Sequence, residues 1–151
     1  MSATLKARLE ELFAPLDAIK SLECDGFMQC AVWLLHREKV PYQPQGGCVT
    51  VRLPDPDRPG KFGQPQAFDM PHFWITIPQG DGPDLVIDYR LRMWFGESAP
   101  HGVHEGTPPG VRYRGRPVTH TPNPHLFEIL SGLPSVPGKL TVASIHPSND
   151  P

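Results

Sequence analysis

The clearest period in this chain lies between residues 24 and 35. Cys24, Phe27, Met28, Ala31, Leu34 and Leu35 recur at i, i+3, i+4, i+7, i+10 and i+11, the apolar stripe of an α-helix. Lys39 and Pro41 close it. An earlier helix, capped by Ser2, carries Leu5, Leu9, Leu12 and Phe13 on one face until Pro15 ends or kinks it. A short turn follows through Leu16, Ile19 and Leu22. From Cys48 to Leu53 the period becomes two, Val49 and Val51 against Thr50 and Arg52, which predicts a strand. His72 to Ile77 and Leu85 to Asp88 are two more strands around the turn-rich Pro78-Gln79-Gly80-Asp81-Gly82-Pro83. Val111 to Val118 and Leu140 to Ile145 complete the predicted strands. Asn123-Pro124 opens a short helix through Leu126, Phe127, Ile129 and Leu130, with Gly132 near its end. Helices first and strands after predict an α+β fold.

Burial selects a register for the hairpin. Placing Ile75 opposite Leu85 and Phe73 opposite Ile87 gathers four apolar side chains on one face. The same pairing sets His72 directly opposite Asp88 on the other face. Opposed residues have Cβ atoms about 4.5–5.5 Å apart, within reach of an imidazole–carboxylate hydrogen bond.

Composition narrows the picture. The 151 residues suffice for one domain spanning 1–151. The 20 prolines and 14 glycines gather at 41–71, 78–83, 100–117 and 122–138, so the periodic segments stay nearly clean and long loops decorate a compact core. A formal net charge of −2 gives no electrostatic case for nucleic acid or an anionic membrane. No run approaches the roughly 20 apolar residues of a membrane span. The N-terminus lacks the apolar stretch of a secretory signal. Three cysteines do not make a disulfide framework. A cytoplasmic protein with a free thiol is the expectation. No phosphate-binding glycine motif or dinucleotide fingerprint occurs, so no cofactor is expected.

The chemistry-bearing residues are then few. Cys24 opens its helix, where unpaired N–H groups and the helix dipole favour a thiolate and can form half of an oxyanion hole. Glu23 and Asp25 flank it and act against the thiolate. Cys30 lies about 240° around the helix from Cys24, off the apolar stripe, at roughly 100° per residue. Cys48 opens a strand. Both read as structural. His72 or Asp88 alone has a plain structural use, at a strand start and before a turn. Joined by the hairpin, they form the carboxylate-oriented imidazole that a cysteine nucleophile requires. His101 and His104 have a short metal-like spacing, but no second ligand pair accompanies them, so no metal is expected. Arg112, Arg114 and Arg116 alternate with Tyr113, a pattern open to contact with an anionic partner, and the plainer reading, a solvated strand edge, is preferred.

The order Cys, His, Asp resembles the transglutaminase-like branch of the papain-like cysteine peptidase superfamily, over about residues 21–95. Cys24-Asp-Gly-Phe-Met-Gln-Cys-Ala-Val-Trp-Leu-Leu followed by Lys39-Val40-Pro41 looks like that family's nucleophile helix and its "Gly-Ile-Pro"-like turn. His72-Phe73-Trp74 looks like its "His-Ala-Trp" strand, and Leu85-Val86-Ile87-Asp88 like the strand bearing its aspartate. Lys39 stands where glycine is usual, and Phe73 where a small residue is usual. Glu23-Cys24-Asp25-Gly26-Phe27 is also similar to the "Asp-Cys-Ser-Gly-Phe" of bacterial cell-wall amidases on a related papain-like fold. The first resemblance implies a papain-like core with N-terminal helices on an antiparallel sheet. It implies Cys24 as nucleophile, His72 as general base and acid, Asp88 as the orienting carboxylate and Trp74 as a substrate contact. The expected activity is thiol-dependent acyl transfer on a peptide or protein substrate, either hydrolysis or transfer to an amine. The competing expectation is a catalytically silent module of the same fold that serves as a binding scaffold.

Overall fold

A computed structural model describes residues 2–52 and 69–137. Two helices come first, α1 (Ser2–Asp17) and α2 (Cys24–Arg37). Then follow β1 (Gln43–Val51), β2 (Asp69–Ile77), β3 (Leu85–Asp88), a short α3 (Leu91–Phe95), β4 (Gly102–Glu105), β5 (Val111–Pro117) and α4 (Pro124–Ser131). The strands form one antiparallel five-stranded sheet in the order β4-β3-β2-β1-β5, and the fold is α+β. Among the described residues no helix is long and apolar enough to cross a membrane.

Strand alternation divides the core in two. Ile75, Ile77, Leu85, Ile87 and Val103 leave the sheet on one face and pack against Leu9, Phe13 and Leu16 of α1, the apolar side chains of α2, and Phe127 of α4. On the other face Val49 and Val51 meet Leu91, Phe95 and Ala99. The helix α2 is buried on more than its predicted stripe, and Cys30 is among its fully enclosed residues. The sequence placed Cys30 off the packed face. The structure corrects this, because α1, the sheet and α4 all contact α2.

Other boundaries also move. Pro15 does not end α1, which runs two residues further to Asp17, with Ala18 N–H donating to Ala14 O at 3.2 Å. Lys39 closes α2 at φ 57°, the left-handed conformation that glycine adopts without cost. Val40 N–H then donates to Leu35 O at 3.0 Å. The strand β1 begins at Gln43 rather than Cys48, and β4 lies inside a stretch read as loop. Ladder bonds to neighbours create these strands, not side-chain period. The short α4 follows its signals: Asn123 accepts from Leu126 N at 3.0 Å, and Gly132 ends the helix at φ 71°. The predicted strand Leu140 to Ile145, and most of the proline-rich stretch after Leu53, lie outside the described residues.

The hairpin register is shifted by two from the expected one. Ile75 pairs with Ile87, Thr76 with Val86 and Ile77 with Leu85. A shift of two preserves the faces, so the apolar set stays together while the ladder moves toward the turn. His72 is therefore not directly opposite Asp88.

Candidate active site

The β2–β3 ladder stops at Ile75–Ile87, although β2 runs back to Asp69. Where the strands part, the tip of α2 enters. A gap of only ≈ 10 Å³, about one water, is lined there by Cys24, Phe27 and Met28 of α2, by Phe73, Trp74 and Ile75, and by the segment from Ile87 to Arg90. Helix tip and strand fork meet because the apolar stripe of α2 continues onto that face of the sheet.

His72 and Asp88 come together diagonally across this fork. His72 Nε2 lies 3.0 and 2.9 Å from the two carboxylate oxygens of Asp88. Both side chains are sealed from water, at 0% and 2% exposed. Asp88 also accepts from the Tyr113 hydroxyl at 2.8 Å and from Arg90 N–H at 3.2 Å. Burial alone pushes the His72 imidazolium down. The Asp88 carboxylate, by charge and hydrogen bond, and then Cys24 outweigh it and hold the pKa up at about 10. Cys24 thus stands near enough to act on the ring, and it is partly open to solvent. The second ring nitrogen, Nδ1, is buried with no hydrogen-bond partner among the described residues. With Nε2 taken by Asp88, Nδ1 is the nitrogen left for the thiol's proton.

Glu23 and Asp25 are both exposed, where solvent screens them. Asp25 turns its carboxylate onto Gly26 N–H at 2.8 Å. The Trp74 ring runs parallel to the His72 imidazole, at 15° and 6.4 Å between centroids, and meets Tyr113 at 4.6 Å. It is 6% exposed and lies over Gly115, where a Cβ would sit 2.6 Å from its Cη2 atom and 2.5 Å from Gly46 O. Gly115 is therefore required for the indole to cross the sheet. Trp74 forms the floor beside the imidazole, with little surface of its own left to offer.

Two residues at this centre escaped the sequence reading. Tyr113, beside its arginine neighbours, reads from sequence as part of a solvated edge. Alternation along β5 puts it on the opposite face from them, which is the signal that pointed inward. Arg90 follows Asp88 by two positions and is 5% exposed. Its guanidinium donates to Leu22 O (2.5 Å), Tyr89 O (2.8 Å), Leu16 O (3.2 Å), Ile19 O (3.1 Å) and Asp17 Oδ1 (2.9 Å). It lies over the Phe27 ring at 4.7 Å. Arg90 ties the α1–α2 link, two residues before the thiol, to the strand that delivers Asp88. No local pattern announces such a clamp.

A cavity of ≈ 590 Å³ is lined by Arg90 with Asp17, Lys20, Tyr89, Arg92 and His101 among others, not by Cys24. His101, weighed in the sequence as a metal ligand, here gives Nε2 to Asp17 at 2.8 Å. Among the described residues no three His, Cys, Asp or Glu side chains converge as a metal set. The chain matches no family model, no curated protein and no solved structure.

Proposed function

We propose that this chain is a cysteine-dependent acyl-transfer enzyme with a transglutaminase-like, papain-like core. Cys24 Sγ attacks the carbonyl carbon of an amide in a peptide or protein substrate. His72, held as the imidazolium with the thiol's proton already on Nδ1, gives that proton to the departing amine. The resulting thioester is opened by water, which returns its proton through His72, or by a second amine. Asp88 holds the imidazole by Nε2 and stabilises its charged form. N–H groups at the tip of α2 offer one side of an oxyanion site. Trp74 and Tyr113 keep the pair dry. The steps balance without a metal or cofactor.

One observation carries this reading: a buried imidazole with one nitrogen fixed by a carboxylate, the other without a hydrogen-bond partner among the described residues, and a partly exposed thiol near enough to act on the ring. The scaffold reading draws on a different fact, the ≈ 10 Å³ gap at the helix tip, which accepts no substrate without opening. Iodoacetamide labelling at neutral pH separates them. The enzyme reading expects fast labelling confined to Cys24, reduced at least about tenfold in His72→Ala. Labelling at an ordinary thiol rate, unchanged by that substitution, means the scaffold reading holds.

A further inference from the structure

Among the described residues β5 is the last strand on its side of the sheet. Two bonds bracketing its pairing with β1 tell which backbone groups face outward. Val118 N–H donates to Pro44 O at 3.0 Å, and Arg52 N–H donates to Gly110 O at 2.7 Å. In an antiparallel ladder such bonded positions recur at every second residue. Arg112, Arg114 and Arg116 therefore turn their N–H and C=O groups toward β1. Tyr113 and Gly115 turn theirs away from the sheet. The row closes at both ends: Val111 N–H goes to Pro108 O at 3.2 Å, and Pro117 has no N–H.

The side chains are as ordered as the backbone. Arg112, Arg114 and Arg116 are all exposed and share one face with Thr50 and Asp69. Arg52, Arg112 and Arg114 against the single acid Asp69 line a shallow depression of ≈ 460 Å³. This face already holds a carboxylate: Arg114 pairs with Asp69 at 2.6 Å, and Thr50 adds its hydroxyl. The Thr50 and Arg114 bonds, with the fields of Arg114 and Arg112, keep the exposed Asp69 carboxyl below the usual carboxylate range. Arg116 has no ion pair among the described residues.

We propose that the outer edge of β5 receives an extended acidic segment of a partner polypeptide as an added antiparallel strand, with acidic residues at every second position. Bonded pairing to Tyr113 and Gly115 leaves Arg112, Arg114 and Arg116 in the non-bonded positions, where opposed side chains stand closest. Three arginines at period two then meet three acids at period two. A second copy of β5 sets arginine against arginine, which like charge opposes, so the same edge that admits an acidic strand rejects its own kind. The proposal goes beyond the acyl-transfer reading and stands whether or not Cys24 reacts.

The test uses the full chain and a fluorescein-labelled synthetic peptide with glutamate at alternate positions and threonine between, followed by anisotropy. Binding is expected, weakening as salt is raised and falling at least about tenfold in the Arg112→Gln/Arg116→Gln double variant, whose circular dichroism reports that the fold is kept. Two control peptides discriminate. One has the same residues with the glutamates contiguous; the other is N-methylated at the threonines, which keeps the charge and removes the strand bonds. Both are expected to bind at least about tenfold more weakly. Equal binding by either control means diffuse charge attraction and overturns the proposal. So does binding unchanged in the double variant. Absence of binding together with a concentration-dependent mass means that a second copy already occupies the edge, which also overturns it.

Discussion

Two histidine–aspartate pairs in this fold are almost equal in length and opposite in surroundings. His72–Asp88 closes at 2.9 Å with both side chains sealed, and His101–Asp17 at 2.8 Å with both about a fifth to a quarter exposed. Arg90 touches both, giving its backbone N–H to Asp88 and its guanidinium to Asp17. The first pair has a thiol beside it and a tyrosine hydroxyl on its carboxylate. The second borders the large cavity and packs edge-on against Tyr89. Identical groups thus do different work. Burial makes the inner pair obligatory and couples it to Cys24, whereas solvent lets the outer pair act as one tie among several.

Removing one carboxylate from each pair tests that contrast most directly. Asp88→Ala strands a buried imidazolium and is expected to cost about 3–5 kcal/mol in urea unfolding. Asp17→Ala, at a partly exposed pair, is expected to cost about 1 kcal/mol or less. Equal losses erase the distinction. Acid and alkali separate the pairs as well. The His72 pKa is about 10 in the fold against 6.5 unfolded, so its contribution is complete below pH 6.5 and is lost as pH rises toward 10, by at most about 1.4 kcal/mol per unit. Burial pushes the Asp17 carboxyl up, but His101 and Arg90 bring it below 3.8, so its contribution is present above that value and is lost as pH falls. His72→Gln is expected to flatten the alkaline limb of stability against pH, and Asp17→Asn the acid limb.

Arg90 links the two regions, so Arg90→Ala is expected to damage both. It leaves the Leu16, Ile19 and Leu22 carbonyls without this donor and costs about 3 kcal/mol. Cys24 labelling slows with it, because the link that aims the helix tip is released. Arg90→Lys does not rescue, since an ammonium cannot span that fork of acceptors. Full rescue by lysine means that only the charge matters. Tyr113→Phe, which deletes a single hydroxyl and removes one donor from Asp88 alone, is expected to cost about 2 kcal/mol. An unchanged midpoint means the inner carboxylate does not depend on its third partner.

The candidate site was legible in part. The period of α2 put Cys24 at a helix tip, and strand alternation put His72 and Asp88 on one face. The inferred contact between them is present although the register behind it was off by two, because even shifts leave faces intact and a diagonal neighbour is still within a histidine's reach. Cys30 was misplaced because one helix period reports one packed face, while α2 is packed on several sides. Tyr113 and Arg90 were missed for a common reason: each meets partners far away in sequence, and nothing adjacent to them requires those partners.

What the chain alone determined is the set of amphipathic periods, and with it the α+β class, the helix tip bearing a thiol and the strands bearing an imidazole and a carboxylate. Local sterics and side-chain alternation suffice for that. The tertiary structure decided where the strand ladder stops, how the helix tip enters the fork and which buried donors hold Asp88. Those depend on the fit of surfaces from α1, α2 and β1, β2, β3 and β5 together, and no window of sequence contains them.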